Sequence, residues 1–461
     1  MDLTYVCWAA LDVVLALRLG VIWRTCISNQ RSIPGPFLAR FTRLWYLNRV
    51  YQGNFHLQNI ELHKKYGSVV RLAPNLYSIS EPNKTYDCWK RPDLEIFTLF
   101  ADRDVKRHAE TRRKFQSMYS LSTLKSYEPY VDECADILKE RLNEAYYAFD
   151  VISNITYSER FVYSWLHPVI YHLAQYIPGS GASARGFLMG LVRSRMEERC
   201  GHRAEKRAAS VSPGCDDAKP QDFLDKISDA HERDPTNVMP CHIFMMGFGN
   251  VVAGSDTTGI SLSSILFHLT KWPRTMKALR AEIQAYQTST GKRTLAFEDC
   301  QQLAYLQAVI KESLRMHPAT GLPMCRTVPK GGAEIQGVFF PEGAVVGLNC
   351  WTAHYNEELF GSAREFRPER WLDKTPHGPE RMKLMESYFV VFGLGSRTCL
   401  GRHISMLEMT KLIPQLVMAF DFELDHDMAE LKARNLWFVK PQNLRMKIRT
   451  RAAEKDESFN L

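Results

Sequence analysis

Leu3 to Trp23 opens the chain as a 21-residue, mostly apolar run, about long enough to cross a bilayer as a helix. Asp12 interrupts it at a cost of about 2.5–3.5 kcal/mol at a bilayer centre, and Arg18 snorkels outward only in part. Asp2 stands where a cleavable signal carries positive charge, which favours an uncleaved anchor over 1–24. Arg24, Arg31, Arg40 and Arg43 follow it, placing the rest on the cytoplasmic side by the positive-inside rule. An amphipathic surface helix is the alternative. Under either reading the sequons at Asn83-Lys84-Thr85 and Asn154-Ile155-Thr156 are expected to stay unmodified.

Pro34-Gly35-Pro36 makes a stiff turn after the run. Ser68 to Ser80 alternates apolar and polar positions around Pro74-Asn75, which predicts a hairpin. Helical periodicity dominates from Val105 to Met316, interrupted at Gly201 to Pro220, a loop-like stretch of Ala, Ser, Lys and Asp. Val328 to Val346 returns to short strand-like runs broken by Gly and Pro, and the tail from Arg449 reads as polar and frayed. The fold class is mainly α with small β-sheets. No repeat or linker divides the globule, so residues 25–461 read as one domain.

Composition narrows the class. Of 461 residues, 45% are hydrophobic and 24% charged, which excludes wholesale disorder and a polytopic membrane protein. The 59 basic residues exceed the 51 acidic ones by too little, and too diffusely, to suggest nucleic acid. Eleven cysteines contain no CxxC pair, the usage of reduced thiols rather than of a disulfide frame or zinc site.

One cysteine stands in a special setting: Phe392-Gly393-Leu394-Gly395-Ser396-Arg397-Thr398-Cys399-Leu400-Gly401. Glycines ahead of Cys399 permit a tight turn and close approach to a flat ligand, and Gly401 leaves room beside the same ligand. The helical periodicity that follows puts Cys399 just before a helix N-terminus, which favours a thiolate. The stretch lacks the third glycine of a dinucleotide fingerprint, and no GxSxG occurs anywhere. Pro240 to Trp272 is a long apolar helical run holding Gly247, Gly249, Gly254 and Gly259. Each glycine costs about 1 kcal/mol against alanine, so four of them point to something bulky lying close. Glu312 and Arg315 share one helix face, as do His108 and Arg112.

FxxGxRxCxG fixes five residue types over ten positions and resembles the haem-ligand signature of cytochromes P450. Glu312-Ser313-Leu314-Arg315 resembles the ExxR motif of that family. Phe366-Arg367-Pro368-Glu369-Arg370-Trp371 is similar to its PERF/PERW segment, and Ala253-Gly254-Ser255-Asp256-Thr257-Thr258 to its oxygen-binding signature. HAETRRKFQSMYS (108–120) and FFPEGAVVGLNCWTAHYN (339–356) look most like fungal, microsomal pisatin-demethylase-like members.

The resemblance implies a haem b bound through Cys399 as axial ligand. It implies propionate contacts from His108, Arg112, Arg326 and Arg397, and a haem-facing surface from Phe392, Ala253 and Gly254. Asp256 and Thr257 would manage proton delivery, and Arg370 would join Glu312 and Arg315 as structural support. Met246, Asn250 and Ala253 share a helical face with Thr257 and meet either substrate or core. Thr320, Leu322 and the turn Leu436-Trp437-Phe438 are further substrate candidates by resemblance. The expected activity is a monooxygenase acting with O2 on a lipophilic small molecule in fungal secondary metabolism. Its electrons would come from NADPH–cytochrome P450 reductase, since no flavin or NADPH-binding region is present here, and its place would be the endoplasmic reticulum membrane. Two departures stand out: Glu81 to Asp93 is shorter than in the family, and about thirty or forty residues are missing between Arg160 and Val192, where the family builds its substrate roof. They leave an alternative, a haem-binding but catalytically impaired protein.

Overall fold

Leu44–Tyr51 (α1) and Phe55–Tyr66 (α2) lead into the hairpin expected at Ser68–Ser80, which forms as Val69–Ala73 (β1) and Leu76–Ile79 (β2). Asn75 takes the left-handed conformation at its turn (φ 63°), which Asn tolerates better than most residues, and its amide donates to the Gly343 carbonyl at 2.8 Å. The computed structural model describes residues 32–82, 99, 102, 104–144, a few positions from 189 to 201, 222–373, 375, 377–425 and 430–451. The N-terminal apolar run, both sequons, and nearly all of the 81–93, 160–192 and 201–220 stretches lie outside them.

The helical part begins at Val105–Gln116 (α3), started by Asp104, whose carboxylate accepts from the Lys106 and Arg107 N–H groups at 2.9 and 3.0 Å. Glu128–Glu144 (α4) and Phe223–Arg233 (α5) precede Pro240–Lys271 (α6), the long run read from the sequence, with proline at its first turn. Trp272 leaves helical geometry and Pro273 starts Pro273–Thr290 (α7), because proline disfavours helix in the residue before it. Ala304–Met316 (α8) carries Glu312 and Arg315.

The strand-like stretch after it supplies Met324–Thr327 (β3), Ala333–Ile335 (β4), Val338–Phe340 (β5) and Val345–Leu348 (β6). Strands β1, β2, β6 and β3 form one sheet in that order, β2 running parallel to β6. Cys350–His354 (α9), Gly378–Tyr388 (α10) and Arg402–Ala419 (α11) complete the helices that matter to the site. Phe420–Leu424 (β7), Ala433–Asn435 (β8), Val439–Pro441 (β9) and Met446–Thr450 (β10) close the chain. The fraying expected from Arg449 onward is not found at Arg449 and Thr450, and residues 452–461 lie outside the described residues. Arg449 and Thr450 pair with Asp421 and Phe420 across β7–β10, because alternating residues of β10 find a partly apolar face there.

The largest core packs α6, α7, α8 and α11 through Ile265, Leu269, Leu279, Ile310, Met409 and Ile413. Among the described residues no helix is long and apolar enough to cross a membrane, the 32-residue α6 included.

Five histidines are buried neutral. Desolvation pushes His56, His268 and His354 down to about 3 and His63 and His317 to about 4. The unfolded chain protonates these rings near pH 6.5, so below that pH it binds more protons than the native state. The stability from keeping them neutral is complete above pH 6.5 and falls as pH drops toward the folded values. Each ring then removes up to about 1.4 kcal/mol per pH unit. The urea midpoint is expected to fall steeply between pH 7 and pH 5; a flat midpoint over that window would contradict neutral burial.

Candidate active site

Cys399 sits where the backbone turns back on itself. Its N–H donates to the Phe392 carbonyl at 2.7 Å, and the loop between them needs Gly393 (φ 72°) and Gly395 (φ 60°), conformations unfavourable to other residues. A short 3₁₀ turn, Gly395–Arg397, and the start of α11 at Arg402 bracket the thiol. The residue is exposed, and its sulfur accepts from the Gly401 and Arg402 N–H groups. Desolvation pushes the thiol above its ordinary value, while the N–H groups of Gly401 and Arg402 and the charges of Arg112 and Arg402 pull it back. A cation bound at the sulfur would complete that pull, since metal coordination deprotonates a thiol outright.

Basic side chains converge on this loop. Arg112 donates from Nη1 to the Thr398 carbonyl at 2.8 Å, and His108 lies buried one turn earlier on α3. Arg397 lies within electrostatic reach of Asp102, itself held bidentately by Arg107 at 2.7 and 2.9 Å. Arg326, on β3, is buried and gives Nη1 to the Cys325 carbonyl at 3.0 Å. Phe392 is partly buried under the Arg402 guanidinium, 5.6 Å from its ring centroid.

α6 is tied to α11, the helix that follows the loop, by the Thr258 and Ser405 hydroxyls, 3.1 Å apart. One turn before that tie the helix surface opens. Ala253 is exposed, and a Cβ built on Gly254 meets no atom within 4 Å. Thr257 spends its hydroxyl proton on the Ala253 carbonyl at 2.8 Å, leaving its oxygen as an acceptor. Asp256 is ion-paired through Oδ2 to Lys440 of β9 at 2.9 Å, a partner 184 positions away that no local pattern announces.

Glu312 anchors the support. Its two oxygens accept from Arg315 Nε and Nη2 (2.9 and 2.8 Å) and from Arg370 Nε (2.9 Å). Arg367 N–H (3.1 Å) and Trp371 Nε1 (2.8 Å) also donate, two partners the sequence reading did not assign. Arg315 and Glu312 are fully buried. Burial alone would raise the Glu312 carboxyl; the Arg315 and Arg370 charges and the Arg367 N–H outweigh it and hold it below the ordinary value.

The substrate candidates divide. Met246 is 4% exposed and packs with Phe115, Met118 and Ile243, the core alternative for that helical face. The Asn250 amide oxygen accepts from the Tyr119 hydroxyl at 2.5 Å. Leu322 is buried with Phe55, Val70 and Leu72 beneath Trp437, so it is a core residue because α1, α2 and β1 cover it. Thr320 and Trp437 are brought together: Thr320 bridges Phe438, and Gly321 N–H donates to the Trp437 carbonyl at 3.0 Å.

This set suits a haem. The thiol is accessible, α6 carries open space at Ala253 and Gly254, and four basic side chains lie close to the loop or on the elements beside it. Arg326, buried on β3, and Arg397, within the loop, are cations of the kind that a propionate needs.

Comparison with known proteins agrees. A family profile described as Cytochrome P450 matches residues 156–448. Two proteins named Pisatin demethylase from Fusarium vanettenii are 34% and 35% identical, covering 98% and 97% of this chain and 96% of each relative. A Cytochrome P450 monooxygenase of Aspergillus terreus is 32% identical over 84% of this chain and 89% of its own length. The first of these alignments runs over 513 positions, more than the 461 residues here, so that relative carries residues this chain lacks. With its cysteine loop, its buried Glu312 network and relatives matched along nearly its whole length, the chain belongs to the cytochrome P450 family and is one of its monooxygenases.

Proposed function

We propose that the protein is a haem-thiolate monooxygenase placing one oxygen atom from O2 into a lipophilic small molecule of fungal secondary metabolism. The observation that carries this is the accessible Cys399 thiol in a glycine-turned loop to which Arg112 is bonded, beside α11, a helix that α6 with its open Ala253 and Gly254 surface is tied to. Haem b, when bound, supplies O2 binding, electron storage and O–O cleavage, helped by electron donation from a thiolate.

The chain's residues do the rest. Cys399 supplies the thiolate, and His108, Arg112, Arg326 and Arg397 offer hydrogen bonds and charge to the propionates. Ala253 and Gly254 keep side-chain bulk off the ligand face. Thr257 Oγ1 can accept a proton-bearing water's hydrogen bond, and the Asp256 carboxylate, held by Lys440, can pass a proton toward it. Relatives named as monooxygenases favour this reading over an impaired haem binder.

We assign the electron supply to a separate NADPH–cytochrome P450 reductase and the location to the endoplasmic reticulum membrane, with 1–24 as anchor and 25–461 as the catalytic domain. Exposed Phe37, Leu38, Leu44 and Tyr51 follow that anchor beside Arg40, Arg43 and Arg49, an apolar and basic surface suited to lipid headgroups.

The test is turnover with reductase and NADPH on a panel of lipophilic substrates, for the natural chain and Thr257→Ala. Product per NADPH is expected to fall by roughly an order of magnitude in the variant while haem content is kept. Unchanged coupling would remove Thr257 from proton handling. A haem-loaded natural chain that forms no product and shows no spin-state shift would overturn the reading.

A further inference from the structure

His354 ends α9 with no solvent exposure, and both its ring nitrogens are committed. Nε2 lies 3.0 Å from the Val390 N–H, which can only donate, so Nε2 is the acceptor. The ring is therefore neutral with its proton on Nδ1, which donates to the Arg315 carbonyl at 3.1 Å. Arg315 answers with Nη1 on the His354 carbonyl at 2.9 Å. The imidazole also stacks on Phe389, centroids 5.5 Å apart and 11° between planes.

These bonds join two parts of the site separated in sequence. Upstream, Arg315 is locked to Glu312. Downstream, the Val390 carbonyl accepts from Gly393 N–H at 2.9 Å, and the Phe392 carbonyl accepts from Cys399 N–H at 2.7 Å. An unbroken line of hydrogen bonds and short backbone steps thus runs from Glu312 through Arg315, His354 and Val390 to Cys399. We infer that His354 is a positioning residue for the thiolate: it clamps the start of the cysteine loop to Arg315, so the Glu312 network sets where Cys399 stands.

Burial keeps the ring neutral, its pKa pushed down to about 3, so the acceptor at Nε2 persists at physiological pH. Among the described residues no other side chain is seen on the Val390 N–H; Cys350 reaches the Val390 carbonyl, at 3.4 Å. The inference rests on the haem-thiolate reading of Cys399 for its spectroscopic arm, but not for the exchange arm below.

The experiment compares the full chain with His354→Phe, His354→Gln and His354→Asn. Phe keeps a ring against Phe389 and removes both hydrogen bonds; Gln can place an acceptor near the Nε2 position, and Asn a donor near Nδ1. Two readouts are taken: hydrogen exchange of the peptide covering 389–399 in haem-free protein, and the thiolate fraction in the reduced, carbon-monoxide-bound spectrum. His354→Phe is expected to exchange roughly tenfold faster in that peptide, about the worth of one lost hydrogen bond, and to lose most of its thiolate band. His354→Gln should recover part of both, and His354→Asn less. Natural-like exchange and band in the Phe variant would overturn the inference, showing that the ring acts by packing alone. If the Phe variant does not accumulate, Gln against Asn decides: equal behaviour of the two overturns it. A natural chain lacking any thiolate band would defeat the haem-thiolate reading, while the exchange result would still judge the clamp.

Discussion

Cys399→Ala should leave the chain folded and remove the thiolate-type Soret band of its reduced, carbon-monoxide-bound form completely. The fold survives because the side chain is exposed and the loop is held by backbone: Cys399 N–H to Phe392, and Gly393 N–H to Val390. Alanine keeps those bonds, so unfolding stability without haem should change by no more than about 0.5 kcal/mol. No other described cysteine is placed to substitute. Cys300 and Cys350 are buried, with thiols pushed up by desolvation to about 12, and the Cys350 thiol already donates to the Val390 carbonyl. Cys134 and Cys241 are exposed on helices α4 and α6, outside the cysteine loop, and Cys325 of β3 has its sulfur against Gly347 of β6. The spectrum and a urea titration of the same preparations check both halves. A surviving thiolate band would reassign the ligand; a collapsed midpoint would make Cys399 a folding residue first.

Glu312→Ala is expected to have the opposite signature, with loss of the fold around the site. Alanine deletes the acceptor of five hydrogen bonds and leaves Arg315 and Arg370, 0% and 1% exposed, without their carboxylate. Removing one partner of a buried pair costs about 3–5 kcal/mol, because the remaining charge has lost its compensation. Against typical domain stabilities of roughly 5–15 kcal/mol, that is enough to leave mostly haem-free or aggregated protein. Glu312→Gln should be milder, since an amide still accepts from Arg315 or Trp371. The haem-to-protein ratio of the two variants, measured with the urea midpoint, checks the order. A fully haem-loaded Ala variant would mean that the backbone carbonyls around the guanidiniums suffice. The pH sign follows from the depressed carboxyl: the network's contribution is present above the ordinary glutamate range and is lost as pH falls through the folded value.

Most of what was legible in the sequence depended on residue types that few other settings tolerate. Glycines before Cys399, glycine and alanine midway through an apolar helix, and a Pro-Asn turn between alternating strands each carry a local cost that only one structure repays. Glu312 and Arg315 were legible as neighbours on one helix face, and Arg370 through its motif. The remainder depends on pairs far apart in the chain. Trp371 and Arg367 complete Glu312, Lys440 takes Asp256, and His354 joins Arg315 to Val390, none with a local trace because tertiary packing alone brings them together. Periodicity also could not separate Met246, in the core, from Ala253, on the open surface, since both lie on one face of α6.

The order of strands in the main sheet has a consequence for how the protein is made. Tyr77 of β2 pairs with Val346 of β6, and β3 and β6 are both supplied by the second half of the chain. A ribosome adding about 5–20 residues per second emits the missing partner only tens of seconds after the hairpin. Until then the hairpin offers an open edge with buried-type residues, the kind of surface that invites wrong pairing. Glu312, Arg370 and Cys399 arrive in the same late portion, so cofactor capture cannot begin while the first half is waiting. Newly made chains should therefore depend on chaperones for most of their synthesis, and a pause in translation before residue 345 would prolong the vulnerable interval.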